Sequence, residues 1–470
     1  MRWSILIDLM LVLIVLVALL VMWTVLGIVS SRWVRSLGDY FLAGHRMGLA
    51  LLSITILAAW ESHYTVMAGG ESGYRYGLVG PVWYALAVGG ALIILAIFAP
   101  RIKRDAPPGT ISFPQYLRHR FSEARVGGVN LFEQFTAWEI LIITTLSAAS
   151  STLGGAYVLQ ALTGLDFDSS LIVAGVFYLV YSTYGGLYAV ALVDVMQLAM
   201  ISILLPIVAL YISSTLGGVD GVVAGLQKYS PALLGLTPDS INWMFTFLLS
   251  LLGGTLASSF LWQMIYASKN PSHAWKSLVL SGVLFMPVAL TCGFIGLAGR
   301  AAGLNVAPSS ASPQVVATLL PASLGLIYLL GFVAAAWSTF AANVNGNAAI
   351  VMANVVTPFF MKGAPESRKL LVSRVVALFF GILTIIIAKY APGILWLLMF
   401  SYALRTPPVI PALIGLYTKR LSGWGAFTAA LLGFVASATI YLYNSLYGTI
   451  AAWVVPLLIS LVFVALGGRK

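Results

Sequence analysis

The stretch Tyr181-Ser182-Thr183-Tyr184-Gly185-Gly186-Leu187-Tyr188-Ala189-Val190-Ala191-Leu192-Val193-Asp194-Val195-Met196-Gln197 joins two long apolar runs, near residues 170–190 and 193–215, and sets one carboxylate at the edge of the second. Glycine is the default residue where a chain must turn sharply, so Gly185-Gly186 reads as a tight turn between two helices. Each flanking run is long enough, at about 1.5 Å per residue, to cross some 30 Å of hydrocarbon.

Working outward, the same length test gives thirteen candidate spans, near residues 5–29, 47–70, 77–99, 129–161, 170–190, 193–215, 241–263, 276–300, 318–358, 370–389, 392–417, 422–443 and 447–467. The 318–358 run exceeds one simple crossing and reads as a span with an extension. The 5–29 run is too long for the apolar part of a cleavable signal and is read as the first membrane helix. Composition agrees, since 60% of residues are hydrophobic and 8% charged, against about 25% charged in soluble domains. The net charge of +11 is spread over short loops and so reports orientation, not a nucleic-acid partner. Alternate loops carrying Arg32, Arg46, Arg101, Arg118, Lys269, Lys362, Lys369 and Lys419 among others hold nineteen cations, and the opposite side holds five. The positive-inside rule then places the N-terminus outside and the C-terminus in the cytoplasm of a multi-pass plasma-membrane protein. The lone Cys292 excludes disulfide frameworks and Cys-ligated metal sites.

Several motifs now bear on family. Tyr184-Gly185-Gly186-Leu187, Asp194 and Gln197 resemble the YGGLxAVxxTDxxQ signature of the sodium:solute symporter family, with Val193 in place of its usual Thr. Gly38-Asp39-Tyr40-Phe41-Leu42-Ala43-Gly44 is similar to the family's DYFLAGR loop, with His45 inserted before Arg46. Thr110 to Phe121, Gln263 to Ala274 with Met264 for Arg, and Gly415-Leu416-Tyr417 with Lys419-Arg420 and Gly425-Ala426 continue the resemblance in order along the chain. It implies an all-α integral membrane protein of about thirteen helices in a single domain (1–470), with the leucine-transporter-type core. The helix at 5–29 leads, inverted five-helix repeats cover 47–215 and 241–417, and two helices at 422–467 follow. It also implies cation-coupled uptake of a small solute.

Such repeats place solute and ion near the midplane, where broken helices expose carbonyls. Two places read as breakable. One is Glu61-Ser62-His63-Tyr64-Thr65 followed by Gly69-Gly70; the other is Gly253-Gly254-Thr255, for which close helix packing through small residues is the alternative. Ala335, Ser338 and Thr339 have i, i+3, i+4 spacing and share one helical face, so two hydroxyls can offer oxygen to sodium. The competing reading is that each hydroxyl bonds the carbonyl four residues back. The family resemblance implies a sodium site there, completed by Ala58 and Glu61. Asn343, Asn345 and Asn347 extend the polar pattern.

Glu61 departs from the apolar or small residue typical of the family, and an ionisable group at membrane depth needs a partner or a task. It is a sodium ligand, a proton carrier, or the structural partner of Arg405. His63 reads as a packing residue or a proton relay. Arg405 is also the counter-ion for an anionic solute, because guanidinium grips carboxylate bidentately. Alignment with sugar-transporting relatives puts Thr65, Tyr84, Leu251, Gly254 and Thr255 at the solute, and Leu251 disfavours hexoses. Tyr64-Thr65 and Gly415-Leu416-Tyr417-Thr418 look like the monocarboxylate-permease branch, and Arg405 beside Trp60, Trp83, Trp262 and Trp337 suits an anion with a short apolar tail.

The expected function is sodium-coupled symport of a small monocarboxylate by alternating access. Proton coupling, or a zwitterion such as proline, is the alternative. Sodium is the one metal ion expected, with no organic cofactor, transition metal or nucleic acid. No HExxH, partnered GxSxG or facing aspartate pair supports an enzyme, and the chain holds four histidines, His45, His63, His119 and His273. No pore-loop repeat supports a channel. A transporter-like sensor would carry a signalling domain beyond the last span, whereas this sequence stops at Lys470. An amino-acid permease of another family with the same fold would differ in whether residues 185–197 form a turn.

Overall fold

The computed structural model describes residues 7–30, 47–105, 107, 110 and 112–467. The loop motif at 38–46 therefore lies outside the described residues. The described residues form eighteen α-helices: α1 (Leu9–Ser30), α2 (Leu49–Trp60), α3 (His63–Tyr76), α4 (Val79–Arg104), α5 (Phe113–Arg120), α6 (Leu131–Thr163), α7 (Phe167–Thr215), α8 (Gly218–Tyr229), α9 (Pro238–Leu256), α10 (Ser259–Ala267), α11 (Pro271–Ala301), α12 (Ala311–Leu319), α13 (Ala322–Val351), α14 (Glu366–Tyr390), α15 (Ile394–Arg405), α16 (Val409–Tyr417), α17 (Gly423–Tyr443) and α18 (Ser445–Gly467). A two-stranded hairpin, Arg125–Val126 with Val129–Asn130, precedes α6.

Among the described residues, eight helices are long and apolar enough to cross a membrane, and three bent pairs raise this to eleven. Shorter apolar helices at Leu9–Leu19 and Phe167–Val180 fall on the two remaining runs, which is compatible with thirteen. Leu, Ile, Val and Phe face outward along α7, α14, α17 and α18, as lipid-facing surfaces require.

Residues 181–197 differ from expectation. The backbone is helical from Phe167 through Thr215, so Gly185-Gly186 is not a tight turn. Gly lowers helix propensity without ending a helix by itself. A straight α7 would nevertheless hold residues 178 and 205 about 40 Å apart. Tyr178 lies against Leu329, Phe332 and Val333, while Leu205 touches Gly331, so both arms of α7 reach one short stretch of α13. The chain therefore reverses between Tyr178 and Leu205; the side chains of Asp194 and Gln197 lie outside the described residues.

Helices α3 and α11 touch backbone to backbone. A Cβ on Gly73 would stand 2.0 Å from Gly293 O, and one on Gly296 would stand 1.8 Å from Gly70 O. Backbone cannot yield as a side-chain tip can, so these helices must separate to admit a methyl group. Gly73→Ala and Gly296→Ala are each expected to cost about 2 kcal/mol, read as lower thermal stability of the purified protein. Gly90→Ala, which meets nothing within 4 Å, should be neutral; equal behaviour of all three variants would refute this packing account.

Candidate functional site

Three helix breaks converge. Between α2 and α3 the chain bends by 56°, between α9 and α10 by 46°, and between α15 and α16 by 40°. At the first, Glu61 adopts φ −75°, ψ 71° and ends α2, while Ser62 is extended and accepts the Tyr64 N–H to start α3. An unbroken helix would give the Ser62 N–H to Ala58 O, but here it goes to Trp60 O. The second break falls at Ala257-Ser258, not at Gly253-Gly254. Those glycines stay helical, and a Cβ on them would meet Thr406 and Tyr402 at 2.0 and 2.2 Å, so the packing alternative holds for them. The third break, at Thr406-Pro407-Pro408, was not anticipated. Its signal was the Pro pair, which removes two backbone donors.

The breaks border a cavity of about 500 Å³, within the range that holds a small organic molecule. Its wall draws on Ala58, Trp60 and Glu61 at the first break, Ile143 and Thr144 of α6, Ser258 and Gln263 of α10, Ala335, Thr339 and Asn343 of α13, and Tyr402 and Arg405 of α15. On α6, α10 and α13 these residues lie in the half nearer the cation-rich loops, and on α15 they lie at the end next to its break. On the other side α3 is packed shut. Glu71 accepts the Leu395 N–H at 3.1 Å and Arg75 Nε at 2.8 Å, Arg300 Nε donates to Tyr74 O, and Tyr74 donates to Leu304 O. The ends nearer the cation-rich loops are tied as well, since Met47 N–H donates to Ala267 O and Lys269 N–H to Met47 O.

Of the residues expected at sodium, Ala58, Glu61, Ala335 and Thr339 all line this cavity. The Ser338 side chain lies outside the described residues. Thr339 donates its hydroxyl to Ala335 O at 2.9 Å, as the back-bonding alternative predicted. That bond uses the hydrogen and leaves the oxygen lone pairs for a cation. Asn347 bonds Thr144 and Thr145 on α6, so it joins helices. Asn343 Nδ2, Trp60 Nε1 and Glu61 Oε1 are buried without a hydrogen-bond partner among the described residues.

Glu61 and Arg405 line one cavity but do not pair. Glu61 is 1% exposed and its Oε2 accepts from Ser202 of α7 at 3.1 Å; sequence reasoning missed Ser202 because α7 is remote along the chain. Arg405 Cζ stands 5.1 Å from the Tyr402 ring centroid, and no carboxylate approaches it within 4 Å among the described residues. His63 lies between Ser150 and Ser151 of α6, with Nε2 on the first and Nδ1 on the second. Ser150 gives its own hydrogen to Ser147 O, so it accepts from Nε2–H, and the ring packs α3 against α6.

The expected solute residues divide. Trp60 and Arg405 line the cavity, whereas Thr65, Tyr84 and Thr255 do not. Thr65 donates to Trp60 O and Tyr84 to Tyr64 O, so both brace the first break from behind. Thr255 is buried at the end of α9. Trp83 and Trp262 spend their indole donors on Met244 O and Leu256 O, and Trp337 stacks on Phe177.

Helices broken around one cavity, with buried polar atoms unpartnered among the described residues at its wall, are the arrangement of a secondary transporter. The comparisons then give the family. The sequence matches the sodium:solute symporter family over residues 40–433, and the chain belongs to that family. It is 24% identical over 455 residues to the sodium/pantothenate symporter of Escherichia coli (strain K12), covering 92% of this chain and 90% of that one. A urea-proton symporter of Oryza sativa subsp. japonica is 22% identical over 88% of this chain and 61% of its own. Among solved structures, a Na+-coupled sialic acid symporter in a substrate-bound outward-open state superposes with a TM-score of 0.74 at 16% identity, covering 96% of both chains.

Proposed function

We propose that this protein is a sodium-coupled symporter of a small organic solute bearing a carboxylate, a small monocarboxylate first, working by alternating access in the plasma membrane. In this reading the N-terminus is outside, the C-terminus cytoplasmic, and residues 47–215 and 241–417 are the two inverted repeats. The observation that carries it is the cavity itself, where Arg405 faces space sized for a small molecule beside Ala58, Glu61, Ala335 and Thr339. Guanidinium grips carboxylate more specifically than any other side chain. The cavity extends toward the cation-rich loops, so this is an inward-facing arrangement if those loops are cytoplasmic. A relative named for urea with protons keeps a proton-driven or neutral solute as the second reading, with a zwitterion such as proline beside it.

Uptake into proteoliposomes under an imposed sodium or proton gradient, with labelled lactate, pyruvate, acetate, proline, pantothenate and glucose, tests both. Sodium-driven uptake of a carboxylate is expected. Arg405→Lys should weaken it because the bidentate fork is lost, and Arg405→Gln should remove the preference for an acid over its matched amide by roughly tenfold. Amides competing as well as acids against the unmutated protein would end the carboxylate reading.

A further inference from the structure

Glu71 is a buried carboxylate on the sealed face that neither the sodium nor the solute assignment uses. It is 2% exposed and holds two donors from distant parts of the chain. Oε1 accepts Arg75 Nε, one turn along α3, at 2.8 Å, and Oε2 accepts the Leu395 N–H, in the first turn of α15, at 3.1 Å. The first N–H groups of a helix have no partner within it. The residue ahead of α15 is Gly393, which has no side chain to offer them. The cap comes instead from α3, as an anion at the helix end whose dipole favours one. The approach is close: a Cβ on Gly393 would stand 2.5 Å from Ser309 Oγ, in the turn Pro308–Ser310, and 3.5 Å from Glu71 Oε1.

The joins that α3 makes on this face are of two kinds. With α11 it meets backbone to backbone at Gly73 and Gly296, a contact that no side-chain rotation can release. With α15 the tie runs through the Glu71 side chain, which can turn away. Helices α3 and α15 are halves of two different broken spans, and alternating access requires the sealed face to open in its turn. We propose that Glu71 is the latch of that face. Bound to the Leu395 N–H it favours the arrangement whose cavity extends toward the cation-rich loops, and its release lets α15 part from α3. Glu71 is a gating residue and touches neither solute nor ion, while Arg75 holds its carboxylate within reach of α15. The inference rests on the reading of this chain as an alternating-access transporter, and on neither the solute nor the coupling ion.

Labelling of single cysteines in the purified protein tests the latch without any solute. In a Cys292→Ser background, Ser309→Cys, at a site 7% exposed beside Gly393, reports the sealed face, and Ser259→Cys on the cavity wall reports the open one. A hydrogen bond to a charged group is worth roughly tenfold or more in an equilibrium. For a protein about nine-tenths sealed on this face, a tenfold shift on adding Glu71→Ala should raise the maleimide labelling rate of Ser309→Cys roughly fivefold and lower that of Ser259→Cys roughly twofold. Arg75→Ala should shift both rates in the same directions by less, and decides the matter if Glu71→Ala does not fold. Faster labelling at both sites would show a loosened structure, and unchanged rates a static cap; either result refutes the latch. Opposite shifts without uptake of any panel solute would keep the latch and remove the proposed function. Uptake without opposite shifts would do the reverse.

Discussion

Proteoliposomes carrying the Ser338→Ala, Thr339→Ala double variant are expected to lose sodium-driven accumulation while keeping solute exchange. Two oxygens on one face of α13, at i+3 and i+4 from Ala335, are proposed to meet the carbonyl end of α2 across a single cavity. That carbonyl end is made by a break, since the Ser62 N–H has left Ala58 O for Trp60 O. A sodium ion shed of water requires five or six such oxygens, and nothing apolar replaces one. A bond to a charged partner is worth about 1.5 to 3 kcal/mol, or roughly tenfold or more in binding. Each single change should therefore raise the sodium concentration for half-maximal uptake roughly tenfold, and the double change about a hundredfold. Thr339 tests the geometry more sharply, because its hydroxyl hydrogen is committed to Ala335 O and only its lone pairs are at stake. Thr339→Ser should keep near-parent sodium dependence. A double variant with unchanged sodium dependence would remove the ion from α13.

The second large effect belongs to Glu61. Its carboxylate is buried and, among the described residues, is answered by the Ser202 hydroxyl at 3.1 Å, not by Arg405. One hydroxyl does not compensate an ionised group away from water. The coupling cation is the missing partner in the proposed site, since Ala58 and Glu61 flank the same cavity. Glu61→Gln keeps the shape and one acceptor oxygen and removes the charge. It should raise the sodium requirement at least roughly tenfold and leave the response to an imposed proton gradient unchanged. If sodium activation instead survived and pH-driven accumulation were lost, Glu61 would be the proton carrier and the protein a proton-coupled member of its family.

Much of this was legible in residue order. Apolar runs of about twenty residues, cation-rich alternate loops and five ordered motifs led to the family. Glu61-Ser62 announced its own helix break, because a carboxylate and a hydroxyl interrupt an apolar run and compete with the backbone for hydrogen bonds. Ala335 and Thr339 declared a shared face through helical spacing alone. The Thr406-Pro407-Pro408 break is equally local, since the Pro pair removes two backbone donors.

The rest depended on distance in space. Glycine pairs have the same sequence appearance whether they break a helix or let two helices touch, and only the approach of Tyr402 and Thr406 shows that Gly253 and Gly254 do the second. Partners of buried charges are likewise chosen across the bundle. Sequence alone determined that Glu61 and Arg405 need answering, since the cost of an ionised group in lipid is set by its chemistry. Only the tertiary structure decided that Ser202, 141 residues away, and not Arg405, turns toward Glu61, because helix packing fixes which side chains share the dry interior.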